Sequence, residues 1–461
     1  MENKEKTAIE QAENAEQTEK AEITKQTEQT EQTEKSFSQK SKKGQRISLT
    51  RILVVLIIAL SFVGGFFTRH FIESKEVRTT SEIVSIIEKY GHIVDEDGNL
   101  RKLGEGDYAN ALINGLLDDY GRYYSKEEYQ EIKNQQNGNY SGFGISILLG
   151  DEYPEVNNVI GNSPAHKAGV RKGDKLISGQ VGEQKTDFSI EFIGDLLDTL
   201  ENSDTVLFEI ERQGQIIYKS LTKSSYKATY VKYYDNEGEI LIENNAVGQR
   251  RAEERIDVDD KTALIAIDSF EGNVANQLGI ALQLMKNNNR TKLILDLRDN
   301  GGGYMDDLLA VSRYLIYNGG QKTLIAIAES NSSSESFEMI APIKNDNNDN
   351  VEDIVVLAND GSASATECLI GAMLCYGEKN FSLDKLIIEK NSLGDAKTYG
   401  KGIMQTTYLL TNGGALKLTT ARILWPDRTT CIHGKGISTI TENQVEKANV
   451  LSRANEILGA N

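Results

Sequence analysis

Apolar and polar positions alternate along this chain in three distinct ways. Residues 1–45 carry almost no apolar side chains; Ile52–Phe67 is a nearly unbroken apolar run; the remainder switches between short strand-like runs and helical spacing. The switching is clearest from residue 262 to residue 410. Thr262–Phe270 reads as a strand, Asn273–Lys286 as a helix, and Lys292–Leu297 as a second strand ending in a glycine turn, Asn300–Gly303, that opens another helix. Ile354–Ala358 is a third strand. Asn359, Asp360 and Gly361 break it, four small residues follow, and Glu367–Tyr376 has apolar residues at helical spacing. The pattern is strand, tight turn, helix, with Ser364 at the helix entrance. Repeated alternation of this kind predicts an α/β core.

Upstream, Asn139–Lys223 reads as a small β-rich unit. Within it, Pro164 and Gly169 bracket a short helix, and Arg171–Asp174 turns into a strand. Phe188–Leu200 has the apolar spacing of a helix. Glu82–Tyr90 and Asp107–Leu117 are amphipathic, and Ser125 followed by Glu128 is a capping box that opens one more helix. The first 45 residues are Glu, Lys, Gln, Thr and Ala with a TEQTEQTEK repeat, which predicts disorder. A basic cluster (Lys40, Lys42, Lys43, Arg46, Arg51) then precedes the apolar run. As a helix that run spans about 24 Å, which snorkelling of Arg51 and Arg69 extends toward the roughly 30 Å of a hydrocarbon core. The expectation is an uncleaved anchor with a cytoplasmic N-terminus and everything after it outside the cell. A cleaved signal peptide is the rival, disfavoured by the long tail and the lack of an A-x-A site.

At 461 residues with a net charge of −18, the chain is long enough for two or three domains and is a poor candidate for nucleic-acid binding. Its three cysteines, Cys368, Cys375 and Cys431, are too few for a disulfide framework or a zinc site and are expected to pack. The glycine turn lacks both the G-x-G-x-x-G spacing and a phosphate-binding lysine, which excludes a nucleotide site there. Asp296 and Arg298 beside it are expected to form an ion pair holding the turn. Candidate chemistry centres on Ser364. A hydroxyl at a helix N-terminus sits near unpaired N–H groups and the positive dipole end, where negative charge is favoured. It needs a base. Of the four histidines, only His433 falls near the core, and no accompanying pattern supports it. Lys401 lies between Gly400 and Gly402, whose bare backbones permit close approach of a partner segment. It would serve as a base once burial has lowered its pKa well below about 10.4. Gln405, four residues on, is placed to orient the amine.

GSASATE (Gly361–Glu367) followed by YGKGIMQ (Tyr399–Gln405) resembles the carboxy-terminal processing peptidases, also called tail-specific serine proteases. The resemblance implies Ser364 as nucleophile, Lys401 as general base and Gln405 as its orienting partner. DLRDNGGG (Asp296–Gly303) matches the family's third motif. It implies an oxyanion hole built from the backbone N–H of Gly302 or Gly303 with that of Ala365. NSPAHKAGVRKGDKLI (Asn162–Ile177) resembles a PDZ domain. SGFGISI (Ser141–Ile147) matches the loop and strand that receive a peptide carboxylate, so Gly142, Phe143, Gly144 and Ile145 are the expected peptide-binding positions. Ser364 and Lys401 are thirty-seven positions apart, longer than the family's usual interval. The surplus around Glu378–Asp395 is expected to form a surface loop or hairpin.

The implied organisation is a disordered tail (1–46), a transmembrane anchor (47–69), a helical lead-in (70–137), a PDZ domain (138–223) and a protease core (224–461) of crotonase-like α/β fold. The implied function is a membrane-anchored serine endopeptidase that captures protein or peptide substrates by their C-termini. No cofactor, metal or nucleic acid is implied, and a homodimer is the expected assembly. The rival class is a non-catalytic peptide-binding scaffold on the same fold; a coenzyme A enzyme would require a pocket for adenine and pyrophosphate that the sequence does not offer.

Overall fold

In the computed structural model, the described residues are 75–90, 102–148, 152–188, 200–243, 246–316, 318–330, 336–343, 350–377 and 381–459. The expected tail and anchor therefore lie outside the described residues, as do positions 189–199 of the expected Phe188–Leu200 helix. Among the described residues, no helix is long and apolar enough to cross a membrane. The chain divides into two units, Met1–Leu103 and Gly104–Asn461. In the first, α1 (Lys75–Tyr90) starts earlier than its apolar spacing suggested and leaves Ile83 and Ile86 exposed.

The second unit opens with α2 (Glu105–Leu116), β1 (Arg122–Tyr124) and α3 (Lys126–Gln136). The capping box at α3 forms in both directions: Ser125 Oγ accepts from Glu128 N–H at 3.2 Å, and Glu128 Oε2 accepts from Ser125 N–H at 2.8 Å. This lead-in is not purely helical. Its strand β1 joins a core sheet, as described below.

The β-rich module follows: β2 (Asn139–Gly142), β3 (Ile145–Leu148), β4 (Glu155–Val159), α4 (Pro164–Ala168), β5 (Lys175–Val181), β6 (Gln184–Asp187), β7 (Thr205–Arg212) and β8 (Gln215–Thr222). Pro164 occupies the first turn of α4, Ser163 caps it by accepting from His166 N–H, and Gly169 ends it in the left-handed region. The strands run β3-β4-β5-β7-β8, with β6 also on β5, so β3 is an edge strand. Alternate residues face inward around Phe143, Val156, Leu176, Phe208, Ile210 and Leu221. The chain enters and leaves this module through a ribbon of β2 with β9 (Ser224–Lys227).

Residues 224–261, polar and without an evident role in sequence, supply strands to the core. They contain β10 (Val231–Asp235), β11 (Gly238–Glu243) and β12 (Ala246–Arg251). Next come β13 (Thr262–Ile267), α5 (Val274–Asn287), β14 (Lys292–Asp296), α6 (Met305–Leu315), β15 (Thr323–Glu329), β16 (Phe337–Ala341), β17 (Asp353–Ala358), α7 (Ala365–Tyr376), β18 (Leu386–Glu389), β19 (Ile403–Leu409), β20 (Ala415–Leu424), β21 (Gln444–Val445) and α8 (Val450–Ile457). Among these, an eight-stranded sheet runs β12-β11-β10-β13-β14-β17-β18-β21, parallel from β13 to β21. Parallel strands buried on both faces should read as continuous apolar runs, and these do. Leu293 and Leu295 point to the layer of α5, α6 and α7, while Ile294, Val355 and Leu357 point to α8 on the other side. Five strands form a second sheet, β1-β20-β15-β16, with β19 also on β20.

The long interval between Ser364 and Lys401 is not a surface loop. It carries β18, which inserts between β17 and β21 with Leu386, Ile387 and Ile388 fully buried. Each of those side chains gains about 1.5–3 kcal/mol from burial, which a solvent loop would forfeit. Helix α7 is buried at every position from Ala365 to Met373. It lies so close to Trp425 that a Cβ on Gly371 would fall 2.2 Å from the indole ring.

Candidate active site

The turn between β17 and α7 holds Ser364 at φ 59° and ψ −116°, a conformation that ordinary side chains rarely adopt. Such strain persists only where the surroundings enforce it, and buried polar groups do so here. Ser362 Oγ donates to Leu297 O at 2.8 Å and accepts from Asn359 N–H at 3.0 Å. Asn300, fully buried, accepts through its carbonyl from Ala363 N–H and from the Thr366 hydroxyl, and its Nδ2 donates to Ile267 O. Three strand ends are thereby tied to the serine turn.

Glu367 is the centre of the arrangement. It is fully buried, one turn into α7. Its Oε2 accepts from Ser364 N–H at 2.9 Å and from Lys401 N–H at 2.8 Å; its Oε1 accepts from Gly400 N–H at 2.8 Å and from the Thr398 hydroxyl. Four donors fill the acceptor capacity of one carboxylate. The backbones of the serine and lysine segments thus meet on one oxygen atom. The glycines beside Lys401 permit a second brace: a Cβ on Gly400 would lie 2.8 Å from Gly436 N, and one on Gly402 would lie 2.7 Å from His433 N. His433 itself is exposed and contributes backbone to this brace.

The Lys401 side chain meets an aromatic ring. Its ammonium lies 4.6 Å from the centroid of the Tyr120 ring, and no hydrogen bond joins it to Ser364 among the described residues. Burial, then the nearby Lys417 charge, push the amine below the usual lysine range, and Asp118 opposes them. Gln405, expected to orient this amine, instead donates from Nε2 to Thr419 Oγ1 at 3.3 Å on the neighbouring strand β20.

Of the two glycines expected to supply an oxyanion donor, Gly302 has its N–H engaged by Asn300 Oδ1 at 2.9 Å. The N–H groups of Gly303 and Ala365 have no protein acceptor among the described residues. Gly302 matters by its lack of a side chain: at φ 104°, a Cβ would lie 2.8 Å from Ser364 Cβ and 3.0 Å from Ala365 N. The expected Asp296–Arg298 pair forms at 2.6 Å, and Arg298 reaches Glu389 of β18 at 2.6 Å as well.

In the module, Gly142 (φ 139°) and Gly144 (φ 79°) shape the loop before β3. Phe143 turns its ring inward, edge-on to Phe208, so only its backbone is left for a ligand. Ile145 begins the edge strand β3. The module meets the core through ion pairs of Lys172 with Asp299 at 2.8 Å and of Arg171 with Glu254, and through a hydrogen bond from His166 Nε2–H to Glu239 at 3.2 Å. His166 Nδ1 accepts from Asn162 N–H. The three cysteines are free thiols.

Residues 261–440 match the model of Peptidase family S41. That stretch of the core is a peptidase family S41 domain. Ser364, Lys401, Gly302 and Glu367 all fall inside that span, whereas Tyr120 and strands β10–β12 lie outside it. Two curated relatives carry the name "Probable CtpA-like serine protease". The one from Staphylococcus haemolyticus is 27% identical over 74% of this chain and 61% of its own length. The one from Staphylococcus aureus is 25% identical over 88% of this chain and 74% of its own length. The chain thus spans about three fifths of the first of these relatives. A solved photosystem II D1 C-terminal processing protease is similar over 74% of this chain and 82% of its own, at 22% identity and a TM-score of 0.43. Sequence reasoning singled out Ser364 and Lys401, both inside the matched span, but missed Glu367 and Tyr120. The first had a signal, since Ser364 and Glu367 have capping-box spacing. The second had none, since its partner is far along the chain.

Proposed function

We propose that this chain is a serine-type endopeptidase of the carboxy-terminal processing kind. The observation that carries this reading is the shared carboxylate oxygen: Glu367 Oε2 accepts from the backbone of both Ser364 and Lys401. It fixes a strained serine and a partly buried lysine in one place. In the proposed reaction, neutral Lys401 takes the Ser364 proton, and the serine oxygen attacks a peptide carbonyl. The N–H groups of Ala365 and Gly303 receive the oxyanion at the N-terminus of α7. Lys401 then protonates the leaving amine, and water releases the acyl group. The core is read as crotonase-like. The six-stranded module is read as a PDZ domain whose edge strand β3 and loop Gly142–Ile145 pair with a substrate's C-terminus. The basic cluster and apolar run ahead of residue 70 support a single membrane anchor with the catalytic unit outside the cell. Assembly as a homodimer belongs to the same proposal.

The contact of the Lys401 ammonium with Tyr120, with no hydrogen bond to Ser364 among the described residues, favours one second reading, a peptide-binding scaffold without catalysis. A tagged-peptide cleavage assay separates the two. Ser364→Ala and Lys401→Ala should each reduce kcat/KM by at least about 10³-fold with melting temperatures close to wild type. Full turnover by either variant overturns the proposed mechanism, and absence of turnover in the parent protein favours the scaffold.

A further inference from the structure

Lys401 has its backbone held by a buried carboxylate and its ammonium against an aromatic ring. The same residue whose N–H is fixed by Glu367 sends its ammonium to the face of Tyr120, 4.6 Å from the ring centroid. Tyr120 is well placed to receive it. It lies in the turn between α2 and β1, where its N–H donates to Asp118 Oδ1 at 3.1 Å. Two residues on, Arg122 of β1 pairs with Lys417 of β20. Tyr399, two residues before Lys401, lies beside the Tyr120 hydroxyl and raises its pKa, and Tyr399 N–H donates to Ser362 O at 3.0 Å. The ring thus sits between the lysine segment and the strand β1 that follows it.

An aromatic face attracts an ammonium and has little attraction for a neutral amine. The charged groups around Lys401 are Asp118 on the Tyr120 turn and Lys417 on β20, with Tyr399 on its own segment; Lys417 disfavours the cation, and Asp118 favours it. The ring adds to the side of Asp118. An amine kept protonated on this face cannot act as a base until it has lost that proton.

We propose that Tyr120 is a positioning residue whose ring face stabilises the protonated form of Lys401, and that giving up this stabilised proton is a required step in the lysine becoming the base. The inference rests on the reading of Lys401 as base given above. Acting on Ser364 requires loss of the ammonium's proton to solvent. The lead-in segment, outside the matched S41 domain, thereby sets the fraction of enzyme ready to react.

The test uses the full chain and the acid limb of the kcat/KM–pH profile, together with a direct ¹³Cε titration of Lys401. The lysine signal is assigned by its loss in Lys401→Arg. In Tyr120→Leu, the lysine titration and the acid limb should both move to lower pH by about half a pH unit, raising activity below neutral pH roughly 3-fold. Tyr120→Phe keeps the ring face and should keep the wild-type titration. Replacing Tyr120 by a pentafluorinated phenylalanine preserves ring volume while removing the negative face, and should reproduce the leucine result even if leucine unfolds the turn. If Lys401→Ala is inactive while the leucine and fluorinated variants titrate as wild type, the role of Tyr120 is refuted and the base assignment stands. If Lys401→Ala retains turnover, the base assignment itself fails.

Discussion

The two halves of the candidate site are built to different standards. The serine half is over-determined: Ser362, Asn300 and Glu367 are fully buried, and together they dictate the backbone of Ser364. The lysine half shares that rigidity only as far as its Cα. Beyond it, the side chain meets Tyr120, and the adjacent Tyr399 is 59% exposed. The proposed nucleophile gains from preorganisation, because strain at the serine has to be maintained by fixed neighbours. The proposed base, which must change its charge to act, gains from a side chain that is less tightly held.

Substitutions at Glu367 should break this contrast most strongly, since that carboxylate belongs to both halves. Glu367→Gln places an amide donor among groups that already donate. It should cost about 2–4 kcal/mol of stability in thermal melts and about 10²-fold or more in kcat/KM. Gly302→Ala comes next. Its methyl would press on Ser364 and on Ala365 N at an unfavourable φ, and a loss of about 10–100-fold, mainly in kcat, is expected. Lys417→Ala acts on the lysine half alone. Lys417 lowers the Lys401 pKa, so its removal keeps Lys401 protonated to higher pH; the acid limb should move up and activity at neutral pH fall about 2–3-fold. The smallest effect is assigned to Lys172→Ala. Its pair with Asp299 is half-exposed on both sides, so stability should change by less than about 1 kcal/mol in melts.

The same division governs what could be read from sequence. The serine half is local: an apolar strand, a break and a buried helix in one stretch, so the β17–α7 turn was legible, as were β13, β14, the α3 capping box and the Pro164–Gly169 helix. Long-range pairings were not. Leu386–Glu389 reads as four residues in a charged interval, and only the slot between β17 and β21 makes it an interior strand. Residues 224–261 look polar because β10 and β11 bury charges as pairs, Asp235 with Arg250, Glu239 with Arg251 and Lys232 with Asp268, and only β12 is largely exposed. Gln405 has the spacing to meet Lys401, but β19 pairs it with Thr419. Tyr120 meets Lys401 only because β1 and β20 are adjacent.

Trp425 is the only tryptophan in the chain, and its indole lies flush against the helix that begins just after Ser364. The protein therefore carries a built-in optical probe of the helix behind its proposed nucleophile. A change in emission wavelength or anisotropy on adding peptide would report movement of that helix. An unchanged signal during turnover would mean that the helix stays still.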